Sequence, residues 1–157
     1  MVKYLLIVLF TMLLVINYLF GFSIGRVSWN SMYPTLKNGD YFIYWKLPKY
    51  IPSLLAYNDI VVYSHYYDDA GKVNFVKRII CKPGDYAYTW SSWLYKCKKK
   101  SWQNINNMLK LEWYFLEGDN KKVSLDSRYC FSYGWCWKNP RWYEVMQNDI
   151  VGKVIFY

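Results

Sequence analysis

Hydrophobic and polar positions along the chain fall into two regimes. Between Lys3 and Arg26 no charged residue occurs, and only Thr11, Asn17 and Ser23 interrupt YLLIVLFTMLLVINYLFGFSIG as clearly polar side chains. As a helix this stretch covers roughly 33 Å, enough for a hydrocarbon core of about 30 Å. A cleaved secretory signal has an apolar core of about 7–15 residues and a small-x-small cleavage site. Here the run is longer and passes into FGFSIGRVSW without an Ala-x-Ala. The pattern therefore predicts a retained transmembrane helix over residues 1–25. Lys3 and Arg26 flank it almost symmetrically, so the charge bias does not set its orientation.

Beyond Arg26 the texture is β. GDYFIYWK, DIVVYSHYY, KVNFVKRII, LEWYFLEG and IVGKVIFY are short runs rich in β-branched and aromatic residues, separated by Gly/Asp turn signals such as NGD, YDDAGK, KPGD and EGDN. No helical period, internal repeat or low-complexity tract interrupts them. They predict a mainly β domain over 26–157, built of antiparallel β-sheets or a distorted barrel. The stretch from Thr89 to Lys110 fits least well and reads as an insertion or a long loop.

Composition narrows the class. A chain of 157 residues holds one ordinary domain, and 20% charged residues beside 54% hydrophobic ones exclude a disordered chain. A net charge of +9 with 22% aromatics fits nucleic acid or an anionic lipid surface. The apolar N-terminus favours lipid, and Lys98, Lys99 and Lys100 sit in no recognisable nucleic-acid-binding fold. Four cysteines, Cys81, Cys97, Cys130 and Cys136, show no C-x-x-C knuckles, so no zinc site is expected. Disulfides and buried free thiols both remain open.

Three constellations carry candidate chemistry. In SWNSMYPTLKNGD, Pro34 pushes Tyr33 toward extended geometry and presents Ser31 on a rigid bend, as a nucleophile requires. In VNFVKRIICKPGDY, strand alternation separates Val73, Phe75, Lys77 and Ile79 from Asn74, Val76, Arg78 and Ile80. Both faces are partly apolar, so periodicity does not say whether Lys77 or Arg78 points inward. A lysine among apolar side chains is desolvated, which favours the neutral amine and makes it available as a base; a guanidinium cannot serve. In LEGDNKKVSLDSR, Gly118, Asp119 and Asn120 form a turn, and Ser124, Asp126 and Arg128 alternate along one extended face. Asp126 and Arg128 read as an ordinary surface ion pair, and Ser124 as a hydroxyl able to aim a neutral amine.

These segments, in this order behind an apolar N-terminus, resemble the type I signal peptidases, the Ser/Lys leader peptidases of bacteria. The resemblance implies a membrane-bound serine endopeptidase that removes leader peptides from translocated pre-proteins. It makes Ser31 the nucleophile and Lys77 the general base, with Ser124 orienting the lysine and Asp126 and Arg128 in support. It implies no cofactor. The expected partners are pre-proteins and membrane lipid, with a secretion or conjugation machinery as a further one, and the domain stands on the outer side of the cytoplasmic membrane. Compactness is also similar to peptidases dedicated to conjugation or pilus systems. The sequence departs from the family at Trp29, where a second oxyanion donor commonly stands, leaving the Ser31 N–H with Ser28 or Asn30 as candidates. Lys121 replaces the arginine of the family's GDNR. Met32, Tyr33 and Phe75 are the expected walls of a pocket for small side chains. Two other readings are a Ser/His/Asp hydrolase built on His65, the only histidine, and a catalytically silent membrane-tethered binding module.

Overall fold

The computed structural model describes residues 2–67, 71–91, 94–98, 109–110, 113–127 and 145–157. A helix, α1 (Val2–Phe20), leads into strands β1 (Phe22–Arg26), β2 (Tyr41–Trp45), β3 (Ile60–Tyr67), β4 (Gly71–Cys81), β5 (Tyr86–Ser91), β6 (Leu94–Lys98), β7 (Leu109–Lys110), β8 (Phe115–Glu117) and β9 (Ile150–Phe156). Six form an antiparallel sheet in the order β1-β2-β9-β3-β4-β8, and three form a second sheet in the order β6-β5-β7. The mainly β, antiparallel reading holds, but the larger sheet is open. Its edges, β1 and β8, do not pair with each other, so no barrel closes.

Two segments differ from expectation. The charge-free stretch is not one helix to residue 25: Gly21, a poor helix former, donates its N–H to the Asn17 carbonyl at 2.7 Å and the helix stops. Phe22–Arg26 then pairs in register with Trp45–Tyr41. Lys46 secures the junction, donating from Nζ to the Tyr18 carbonyl at 2.9 Å and from its backbone N–H to Gly21. Apolar side chains from Tyr4 to Ile16 are exposed around the whole helix. At about 28 Å it falls just short of a full hydrocarbon core, and among the described residues no helix is long and apolar enough to cross a membrane. The second difference is the 89–110 segment, read as an insertion or a long loop. Its described parts are strands, with Ala87 opposite both Cys97 and Leu109 in the smaller sheet.

The core splits into two clusters, fed by alternate residues of β3. Val61 and Tyr63 join Ile79, Leu116 and Ile150, while Ile60 and Val62 join Val27, Met32, Leu36, Phe42 and Val154. The second cluster matters for the site, because Met32 and Leu36 are completely enclosed and hold the turn that carries Ser31. Each such side chain stabilises the fold by about 1.5–3 kcal/mol. Cys81, buried on β4, is disulfide-bonded to a cysteine whose side chain lies outside the described residues.

Candidate active site

Ser31 sits in a single 3-10 turn, Asn30–Met32, followed by Tyr33 in extended conformation (φ −63°, ψ 139°) as Pro34 dictates. The turn is pinned on its core side by Met32 and closed by the Tyr33 N–H donating to the Asn30 carbonyl. Its other side carries the Ser31 hydroxyl.

Strand β4 supplies the partner. Lys77, Ile79 and Cys81 are buried and alternate with the partly exposed Arg78 and Ile80, so Lys77 is the inward residue of the pair that periodicity left undecided. Only 2% of Lys77 is exposed. Its Nζ donates to Ser31 Oγ at 2.9 Å and to its neighbour's carbonyl, Val76 O, at 3.2 Å, with the Phe75 ring 5.9 Å away. Residues 46 positions apart in sequence thus meet as a half-buried hydroxyl and a buried amine.

Arg78, facing the other way, forks onto Asp119, with Nε at 2.8 Å and Nη2 at 2.6 Å, and donates from Nη1 to the Asn58 carbonyl at 2.8 Å. Thr35 Oγ1 donates to the same carboxylate. Burial pushes the Asp119 carboxyl up, but the hydrogen bonds from Arg78 and Thr35, and the Arg78 charge, outweigh it and hold it below its ordinary value. The fork therefore clamps the 118–127 segment to β4 directly behind Lys77.

That segment reaches Ser31 through Gly118 and Asn120. A Cβ on Gly118 would stand 2.1 Å from Ser124 Oγ and 2.5 Å from the Ser31 carbonyl oxygen, so only glycine fits between them. The Gly118 N–H donates to Asp126 Oδ2 at 2.8 Å. Asp126 is 2% exposed, so it lies inside the fold and not on the surface where it was expected, and Arg128 lies outside the described residues. Ser124 is buried near Ser31, but its hydroxyl has no hydrogen-bond partner among the described residues, so the anticipated bond to Lys77 is not made.

A cavity of about 390 Å³ opens over the pair, lined by Ser28, Trp29, Ser31, Met32, Phe75 and Lys77, with Val123 and Leu125 on the far wall. Asn30 and Tyr33 do not line it; the Asn30 side-chain carbonyl instead accepts the Asn38 N–H at 3.1 Å. Trp29 is 80% exposed. A larger cavity of about 610 Å³ is lined by Ser53 and Lys82, but that lysine donates to the Leu55 carbonyl, not to a hydroxyl. His65 stands opposite Val73 on β3 and does not line the smaller cavity. No group of metal ligands occurs among the described residues.

Residues 1–87 match the profile of the family described as signal peptidase, peptidase S26. The chain belongs to this family. The S26 match contains both Ser31 and Lys77 and ends before Gly118. The chain is also 31% identical over 129 residues to signal peptidase I of Bacillus amyloliquefaciens and 30% identical over 129 residues to signal peptidase I T of Bacillus subtilis strain 168. Each alignment covers 69% of this chain and 65% of the relative, so this S26 chain spans about 65% of the length of the curated relatives it matches.

Sequence reasoning missed Asp119 as the partner of Arg78, and Asn120 and Gly118 as contacts of the Ser31 turn. The available signal was the GDN turn, which shows that the chain bends there but not what it bends against.

Proposed function

We propose that this S26 member is a serine endopeptidase that removes leader peptides by a Ser31/Lys77 dyad. The observation that carries the reading is the 2.9 Å contact between the buried Lys77 amine and the Ser31 hydroxyl at the floor of the cavity. Burial disfavours the ammonium, and with a neutral amine the same contact lets the hydroxyl donate to nitrogen. Ser31 Oγ attacks the scissile carbonyl as Lys77 takes its proton, and the Ser31 N–H faces the developing oxyanion. Collapse transfers the proton from Lys77 to the departing amine and leaves an ester on Ser31. Lys77 then takes a proton from water as it attacks that ester, and returns it to Ser31 Oγ as the acyl–oxygen bond breaks and the carboxylic acid leaves. Asp126 supports this arrangement through Gly118, and Ser124 keeps a buried hydroxyl with bonding capacity to spare beside the turn.

The pocket walls suggest the substrate. An extended peptide against β4 presents alternate side chains to one wall, and Met32 and Phe75 leave room there for small residues. Trp29, Val123 and Leu125 also line the cavity, whereas Tyr33, expected as a wall, does not. The enclosing bulk favours cleavage after Ala-x-Ala-like sequences.

For placement, we read α1 as resting in lipid, surroundings that would cover a helix apolar and exposed on every side. The Cys81 disulfide supports an oxidising compartment, hence the outer side of the cytoplasmic membrane. Pre-proteins are then the substrates and lipid the neighbour.

The test is cleavage of a pre-protein by detergent-solubilised full chain. Ser31→Ala and Lys77→Ala should each abolish turnover, and His65→Ala should not. Substantial activity in Lys77→Ala would remove the dyad, and dependence on His65 would restore the triad reading.

A further inference from the structure

Both peptide units that flank the Ser31 Cα are held from outside the turn by one residue. The Asn120 side-chain amide donates from Nδ2 to the Asn30 carbonyl at 3.0 Å. The Asn120 backbone N–H donates to the Ser31 carbonyl at 3.0 Å. The first bond has a particular consequence, because the Asn30 carbonyl and the Ser31 N–H belong to the same planar trans peptide and point in opposite directions. Fixing that carbonyl fixes the direction of that N–H.

Asn120 is itself braced for this task. Its carbonyl accepts the Ser124 N–H at 3.0 Å and the Val123 N–H at 3.3 Å, and its Oδ1 accepts the Lys122 N–H at 3.3 Å. One residue earlier, the Asp119 carboxylate is forked by Arg78 from the strand that carries Lys77. The amide is therefore tied to the same frame as the proposed base.

We propose that Asn120 is a positioning residue that aims the Ser31 N–H at the oxyanion. This rests on the reading of Ser31 as the nucleophile and adds what holds its donor in place.

The experiment uses the full chain in detergent, with rates normalised to the folded fraction from circular dichroism. Asn120→Ala removes the side-chain donor. Asn120→Asp keeps the shape and the backbone bonds, but its ionised carboxylate cannot donate. Each is measured for kcat and KM, for affinity toward a peptide boronate that forms a tetrahedral adduct with Ser31, and toward the same peptide made uncleavable by N-methylation at the scissile bond. Loss of an oxyanion donor lowers rates by about 100- to 1000-fold, so misaiming one should lower kcat by about 10- to 100-fold in both variants. KM and uncleavable-peptide affinity should stay within about threefold, while boronate affinity falls in step with kcat/KM. Unchanged kcat in both variants overturns the assignment, as does an equal loss of affinity for boronate and uncleavable peptide, which marks general loosening. If the wild type cleaves nothing, or Ser31→Ala still cleaves, the parent reading fails and takes this inference with it. If those controls behave and only the Asn120 variants are silent, the positioning role alone falls.

Discussion

Replacing Asp119 by Asn tests the clamp behind the proposed base. The substitution keeps the shape but removes the charge that accepts two guanidinium bonds, at 2.8 and 2.6 Å, and the Thr35 hydroxyl. An exposed ion pair contributes about 0–1 kcal/mol, whereas stranding one charge of a fully buried pair costs about 3–5 kcal/mol. With side chains 24% and 16% exposed, Arg78 and Asp119 stand between these limits. Discounting for solvent screening, we expect Asp119→Asn to cost about 2 kcal/mol at pH 7, a drop in melting temperature of about 5–10 °C. The pH dependence follows from the direction of the shift. The folded carboxyl titrates below its ordinary value of 3.8, so its contribution is fully present above that value and disappears as pH falls through the folded pKa. Thermal melts of both proteins in detergent at pH 7, 5 and 3 should show the full difference at the first two and a shrinking one at the third. A difference under 1 °C at pH 7, or one as large at pH 3 as at pH 7, would refute the reasoning.

Gly118→Ala puts a methyl group against the Ser31 carbonyl and should cost about 1–3 kcal/mol by overpacking while lowering kcat; melting and turnover measured together check this, and an Ala variant with wild-type values in both would show that the contact gives way freely. Met32→Ala empties the core side of the Ser31 turn and should destabilise by about 2–5 kcal/mol in urea unfolding, in contrast to Tyr33→Ala on the exposed side. Ser28→Ala and Asn30→Ala distinguish the second oxyanion donor: Ser28 lines the cavity whereas Asn30 does not, its side-chain oxygen accepting the Asn38 N–H outside it, so only the Ser28 variant should lose roughly 100-fold or more in kcat. A peptide series with Ala or Leu at the first and third positions before the cut should be cleaved only with Ala, and equal rates would mean that Met32 and Phe75 do not bound the pocket.

Much of the larger sheet was legible because strand formation here is a local matter. The runs that became β2, β3, β4, β8 and β9 announce themselves by β-branched and aromatic residues between Gly/Asp turns, and a two-residue period needs no knowledge of distant segments. Ser31 and Lys77 were legible as candidates for a similar reason, since residue type and immediate neighbours determine which side chains have suitable chemistry. What periodicity left open was decided by packing. β4 is apolar on both faces, so the choice between Lys77 and Arg78 waited on which face the core covers and on Asp119, 41 residues from Arg78, taking the guanidinium. Phe22–Arg26 looked like the end of a helix because apolar residues suit helix and strand alike; only the partner strand β2 distinguishes them. The tether from Asn120 to Asn30 spans 90 positions, and the close approach of Gly118 to the Ser31 carbonyl exists only once two turns are folded against each other. Distances of that kind are properties of the assembled sheet, because no local pattern encodes which carbonyl a given turn will meet.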